Sequence, residues 1–163
     1  MQLTQYTDYS LRALIYLSLK KPGELSTITD ISEFYGISRN HLVKVVHNLA
    51  TNGFIVTLRG KHGGMRLARP ASDIPIGEVV RLTEPNFDIA ECFNKETNRC
   101  VITQMCALKN ILGQARAQFI QELDRYSIAD TLNKKNTLSK QIHLFRQTHI
   151  SQENITAPRK TKR

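Results

Sequence analysis

Cys92, Cys100 and Cys106 lie within ECFNKETNRCVITQMCALKN in a C-x7-C-x5-C arrangement, and the chain has no other cysteine. An odd number of thiols leaves one without a disulfide partner, so a fully bridged framework within one chain is excluded. Thiolates are ligands for soft and borderline metals. Three of them spaced through a loop at a helix start can bind zinc, or can hold an iron-sulfur cluster that takes one further ligand. The plainer alternative is three inert cysteines packed as small apolar side chains. Compartment bears on the choice. The N-terminal MQLTQYTDYSLRALIYLSLKK is interrupted by Asp8, Ser10 and Arg12, so it lacks the basic start and unbroken apolar run of an export signal. In the reducing cytoplasm expected for such a chain, clustered cysteines serve metal or redox chemistry more often than structural bridging. No stretch approaches the roughly 20 apolar residues of a membrane span, so no membrane partner is expected.

A second set of residues suits nucleic acid. The formal charge is +9 over 163 residues, but residues 134–163 hold eight Lys or Arg against Glu153 alone. Most of the surplus therefore belongs to the tail. Residues 26–69 hold six basic against two acidic residues, whereas 70–133 hold six against nine. The local surplus at 26–69 is the informative one, because it coincides with residues that a DNA-binding motif would expose.

The elements that must position these groups follow from periodicity and breakers. Leu11, Leu14, Ile15, Leu17 and Leu19 predict a largely buried first helix over Tyr9 to Lys20, ending at Lys21-Pro22-Gly23. Thr27, three residues before Asp30, opens a short helix carrying Ile28, Ile31 and Phe34 and stopping at Gly36. Ser38 is the next cap, and Leu42, Val45, Val46 and Leu49 recur at helical spacing as far as Gly53. Two short helices joined by about three residues are a helix-turn-helix pattern. Phe54 to Leu58 and Met65 to Ala68 then read as strands around RGKHGG, a glycine-rich hairpin tip. This predicts a wing. In such a module the second helix of the motif enters the major groove. Ser38, Arg39, Asn40 and His41, with Lys44 one turn on, are thereby placed for base and phosphate contacts, and Arg59 and Lys61 for a neighbouring minor groove. The competing reading is that two capped helices and a hairpin are core architecture only. His41, His47 and His62 carry no metal spacing and read as surface histidines.

Ile74 to Leu82 predicts a closing helix, ended by Glu84-Pro85. Beyond the cysteines, Met105, Leu108, Leu112, Ala115, Phe119 and Leu123, flanked by Ile111, recur at spacings of three and four and need a partner surface. A symmetric dimer supplies one, as palindromic DNA also requires. The stripe packing only on its own winged helix is the alternative. The expected architecture is mainly α with a small β-hairpin wing: a winged helix-turn-helix domain at 1–84, a cluster-binding loop at 85–106, a dimerisation helix at 107–133, and a basic, disordered tail at 134–163.

TDYSLRAL, SRNHLVKVV, RGKHGGMRLARP, IGEVVR and the cysteine loop running into CALKNIL occur in that order. Through them residues 1 to about 132 resemble the winged-helix iron-sulfur regulators, and among these most the nitric-oxide-sensitive repressors. The resemblance implies a homodimer that binds an inverted-repeat operator in double-stranded DNA while it carries a 4Fe-4S or 2Fe-2S cluster. Nitric oxide, the effector, attacks the cluster and the operator is released, derepressing detoxification genes. It further implies Cys92, Cys100 and Cys106 as ligands, with Asp8 in TDYSLRAL as a fourth supplied by the partner subunit; on its own, Asp8 also reads as a helix-capping residue beside Arg12. The seven-residue first interval is longer than the five or fewer usual in relatives, and the basic tail has no counterpart. Sibling regulators of cluster assembly use a histidine three residues past the last cysteine. Here that position is Lys109, whose ammonium has no lone pair for iron. A DNA-binding protein with a structural zinc site and a small redox carrier are the other readings, and the carrier leaves the wing and recognition helix without a role.

Overall fold

The computed structural model describes residues 2–61 and 63–132; the tail at 134–163, with its expected disorder, and His62 lie outside the described residues. The first helix, α1 (Gln5–Ser18), begins before Tyr9 because Thr4 caps it: the Thr4 hydroxyl accepts from the Thr7 N–H at 3.3 Å. Glu84, far along the chain, holds that start in place by accepting from the Thr4 N–H at 2.7 Å and from its hydroxyl at 3.1 Å.

The capping box expected at Thr27 is complete. Its hydroxyl accepts from the Asp30 N–H at 3.1 Å, and the Asp30 carboxylate accepts from the Thr27 N–H at 2.8 Å. It opens α2 (Ile28–Tyr35), which stops at Gly36, and α3 (Arg39–Thr51) follows. Leu42, Val45, Val46 and Leu49 of α3 are all buried, as their spacing predicts. They join Leu14, Tyr16, Ile31, Phe54 and Met65 in one core.

Two strands, β1 (Ile55–Leu58) and β2 (Gly64–Leu67), pair antiparallel from Ile55 opposite Leu67 to Leu58 opposite Gly64. Met65 also exchanges backbone hydrogen bonds with Ser26, at 2.7 and 3.0 Å, which roots the hairpin in the segment between α1 and α2. At the tip, Gly60 has φ of 114°, a conformation that side-chain-bearing residues rarely adopt. This is a winged helix-turn-helix.

Past the wing, α4 (Ile76–Thr83) starts after Pro75, later than Ile74, and the fully buried Ile74 sits ahead of it in the core. The long helix, α5 (Ala107–Asp124), starts after Met105, which is 86% exposed, and packs on α4. Arg81 donates to Asp124 at 2.6 Å, and the Asp124 carboxylate lies where a Cβ at Gly77 would stand, so a larger residue there would shift that side chain.

Two sequence-based boundaries are corrected here. The long helix ends at Asp124 and does not run to 133. Ile128 N–H donates to the Ile74 carbonyl at 2.9 Å, Ile76 N–H donates to the Tyr126 carbonyl at 2.8 Å, and Ile128 is fully buried. The physical cause is the sequence Tyr126-Ser127-Ile128-Ala129-Asp130. Asp130 accepts from the Ser127 N–H and hydroxyl at 2.7 and 2.6 Å, bonds that also hold its carboxyl below the usual range and turn the chain back into a short 3-10 helix. The winged-helix core is therefore not complete at residue 84.

Candidate functional site

The DNA-facing candidates gather on one side. Ser38 occupies the N-cap position of α3 without a side-chain capping bond, and Ser38, Arg39, Asn40, His41 and Lys44 are all exposed. The core stripe of α3 fixes this outcome, because burying residues 42, 45, 46 and 49 turns 40, 41, 44 and 47 outward. Arg39 is held back toward α2, its guanidinium donating to the Thr29 hydroxyl. Arg59 and Lys61 are exposed at the hairpin tip.

Three contributors escaped the reading of charge alone. Val43, 49% exposed, lies on the outward face of α3 between Asn40 and His47 and offers an apolar contact of the kind that reads a thymine methyl. Its signal was an apolar residue off the core stripe. Tyr9 stacks on His41, ring centroids 6.0 Å apart and 26° between planes, and the Tyr6 hydroxyl donates to the Lys44 carbonyl at 3.3 Å. Nothing in the local spacing pairs α1 aromatics with α3, since that contact is tertiary.

The cysteine loop is built from polar turns. Asn94 Oδ1 accepts from the N–H groups of Glu96 and Thr97, Asn98 Oδ1 accepts from the Cys100 N–H at 3.0 Å, and the Thr103 hydroxyl donates to the Cys100 carbonyl at 2.7 Å. Cys106 stands at the N-cap of α5, where unpaired N–H groups favour an anionic ligand. Cys92 sits in a 3-10 turn, Glu91–Phe93, pinned to α5: the Arg116 guanidinium lies 4.7 Å over the Phe93 ring and donates to the Phe87 carbonyl at 3.4 Å. Beside it is a cavity of 620 Å³ lined by Cys92, Phe93, Lys95, Lys109 and Arg116.

All three cysteines are free and half-buried, and none belongs to the buried core. Asp8 lies in the first turn of α1, 43% exposed, its carboxylate 2.9 Å from the Arg12 Nε. Among the described residues no three His, Cys, Asp or Glu side chains are grouped as a metal site, so the single chain does not assemble Cys92, Cys100, Cys106 and Asp8 into one. The donor chemistry nevertheless fits a thiophilic iron centre: three uncommitted thiols, no acidic residue in the first turn of α5, and cationic side chains around Cys92 that suit an anionic cluster.

Among the described residues no helix is long and apolar enough to cross a membrane. Comparison with known proteins agrees with the geometry. The chain is 49% identical over 140 residues to the HTH-type transcriptional regulator NsrR of Bacillus subtilis, covering 86% of this chain and 96% of the relative. It is 46% identical over 138 residues to NsrR of Shouchella clausii, covering 85% and 93%. In structure it is similar to T. potens IscR, with a TM-score of 0.65 at 22% identity over 82% of this chain and 88% of that one, a likeness of fold. The model of the Rrf2 family, described as iron-dependent transcriptional regulators, matches residues 3–134. The chain belongs to the Rrf2 family and is thus a DNA-binding transcriptional regulator, not an enzyme.

Proposed function

We propose that this chain is a nitric-oxide-responsive repressor that binds an inverted-repeat operator in double-stranded DNA as a cluster-loaded homodimer in the cytoplasm. One observation carries the reading: three free thiols lie in the loop that leads into α5, and α5 is joined through α4 and α1 to α3, whose reading face is exposed. Cys92, Cys100 and Cys106 hold an iron-sulfur cluster, 4Fe-4S or 2Fe-2S, with the partner subunit's Asp8 as fourth ligand. When bound, the cluster supplies an iron centre with which nitric oxide reacts.

The chain's own residues account for the rest. Holding three thiolates draws the 92–106 loop onto the N-terminal half of α5, and Arg116 and Phe93 make that loop and helix move together. Asp124 and Arg81 pass the position of α5 to α4, and Glu84 at the end of α4 holds the start of α1. Tyr6 and Tyr9 of α1 then bear on Lys44 and His41 of the reading helix. An Asp8 shared with a ligand on the partner must give up part of its pairing with Arg12, so that first turn is where the two subunits' states meet. The exposed Leu108 and Ile111 on α5 supply the dimer contact.

The test is binding of anaerobically reconstituted protein to an inverted-repeat duplex and to random duplex, with and without the cluster. Preference for the repeat only in the cluster-loaded form supports the reading. A colourless, zinc-containing protein with the same preference would replace it with a structural zinc site. The cysteine-ligand assignment fails separately if Cys92→Ala, Cys100→Ala or Cys106→Ala retains full cluster content.

A further inference from the structure

The outward face of α3 has a middle and two flanks. At about 100° per residue, Asn40, Val43, Lys44 and His47 fall within about 100° of arc, opposite the buried Leu42, Val45, Val46 and Leu49. Arg39 and His41 stand about 100° to either side of Asn40. Each of these flank residues is engaged by a neighbouring helix: the Arg39 guanidinium donates to the Thr29 hydroxyl of α2, and the His41 ring stacks on Tyr9 of α1. The middle four therefore lie deepest when this face enters a major groove.

Their chemistry is selective. Val43 is 49% exposed and carries only an isopropyl group. A lone exposed valine is ordinary on a protein surface, but this one stands in the middle of a face that docking dries. Packed against guanine O6, cytosine N4, adenine N6 or thymine O4, it would leave a base-edge donor or acceptor without a partner. The apolar group that base edges present in the major groove is the thymine methyl. Asn40, about one turn earlier, has an amide that accepts and donates at once, the pattern that adenine N6 and N7 complement. The two positions are about 4.5 Å apart along the helix axis, close to the roughly 3.4 Å of one base-pair step, so their targets are the same or neighbouring base pairs.

We propose that the DNA under the middle of each α3 carries A·T base pairs, an adenine held by Asn40 and a thymine methyl packed on Val43. The inference rests on α3 as the reading helix and not on the cluster. It turns a general basic surface into a stated preference for base pairs, because neither an amide nor an isopropyl group gains from the phosphates by charge.

The experiment selects duplexes from a random-sequence pool with the full chain, cluster-loaded and cluster-free in parallel, and then edits the selected site one base at a time. Replacing dT by 2′-deoxyuridine removes the methyl and nothing else. At one thymine under each α3 it should weaken the unaltered chain about fourfold, the scale of one buried methyl group, and leave Val43→Ser unaffected. Replacing dA by 7-deaza-2′-deoxyadenosine removes N7. At the same or a neighbouring base pair it should weaken the unaltered chain about tenfold and leave Asn40→Ala unaffected. Both side chains are exposed and outside the core, so the variants fold. Selected sites without a thymine whose methyl matters, or penalties that persist in full in the two variants, overturn the proposal. No preferred duplex in either state overturns it together with the reading of α3. If the cluster-free chain selects the same duplex with the same affinity, the nitric-oxide reading fails while the base edits still decide this one.

Discussion

His41 and Lys61 are both exposed candidates for DNA contact, yet their positions give them different work. His41 projects from the first turn of α3 and is stacked on Tyr9, so its ring is held in a fixed place. Lys61 sits at the hairpin tip beside Gly60. His41→Ala should therefore cut the preference for operator over random duplex by about 1–3 kcal/mol, while Lys61→Ala lowers both affinities alike. Competition binding against random duplex separates the two, and equal losses for His41→Ala would assign it to phosphate. Arg39 and Asn40 were legible as groove residues from Ser38 and the core spacing, but the bond from Arg39 to Thr29 was not, because α2 and α3 meet only in the fold. Tyr35 shows burial acting on a single group. Desolvation pushes its phenol up to about 12, opposed by Arg12, whose guanidinium lies 5.7 Å from the ring centroid. A phenol with a folded pKa above its unfolded value of 10.0 keeps its full contribution below pH 10 and loses it as pH climbs toward 12. Stability should fall across that window, and Tyr35→Phe should flatten the fall; an unchanged slope in denaturant titrations at pH 9 and 11 would contradict this.

At the scale of elements, α5 carries the clearest demand. It has no buried residue in the single chain, and Leu108 and Ile111 are 60% and 61% exposed. Apolar surface of that extent on an ordered helix is expected to meet another copy. Ile111→Lys should convert dimer to monomer in sedimentation and lower operator affinity, leaving the winged-helix core intact because Ile111 is no part of it. A dimer that persists would move the interface elsewhere. Element types were readable along the chain, since capping residues, glycines and apolar spacing act within a few positions. The capping box at Thr27 and the hairpin around RGKHGG are examples. What escaped was the fate of residues 125–132. Ile128 is apolar and follows an apolar stripe, so spacing extended the helix through it, whereas the Ser127–Asp130 turn and the bond from the Ile128 N–H to the Ile74 carbonyl draw it into the core.

For the whole molecule, charge and fold give separate answers about what holds DNA. Residues 134–163 contribute eight of the 23 basic residues, and the family match ends at residue 134. Basic segments release counterions from a duplex without reading base edges. Removing 134–163 should weaken binding to operator and random DNA by similar factors and flatten the salt dependence, with cluster content unchanged. Selective loss of operator binding would show that this segment reads sequence. The ligand set was legible only as residue types: three cysteines in one loop and Asp8 in TDYSLRAL. Their convergence was not, because one chain does not group them and the carboxylate is proposed to come from a second. That leaves coupling between thiolate ligation and DNA release as the central claim. Its most direct measurement is a nitric oxide titration of the cluster-loaded dimer on fluorescent operator, reading visible cluster absorbance and DNA anisotropy in the same cuvette. Both signals should fall over the same ratio of nitric oxide to cluster. Operator still bound after the cluster absorbance has gone would contradict the account.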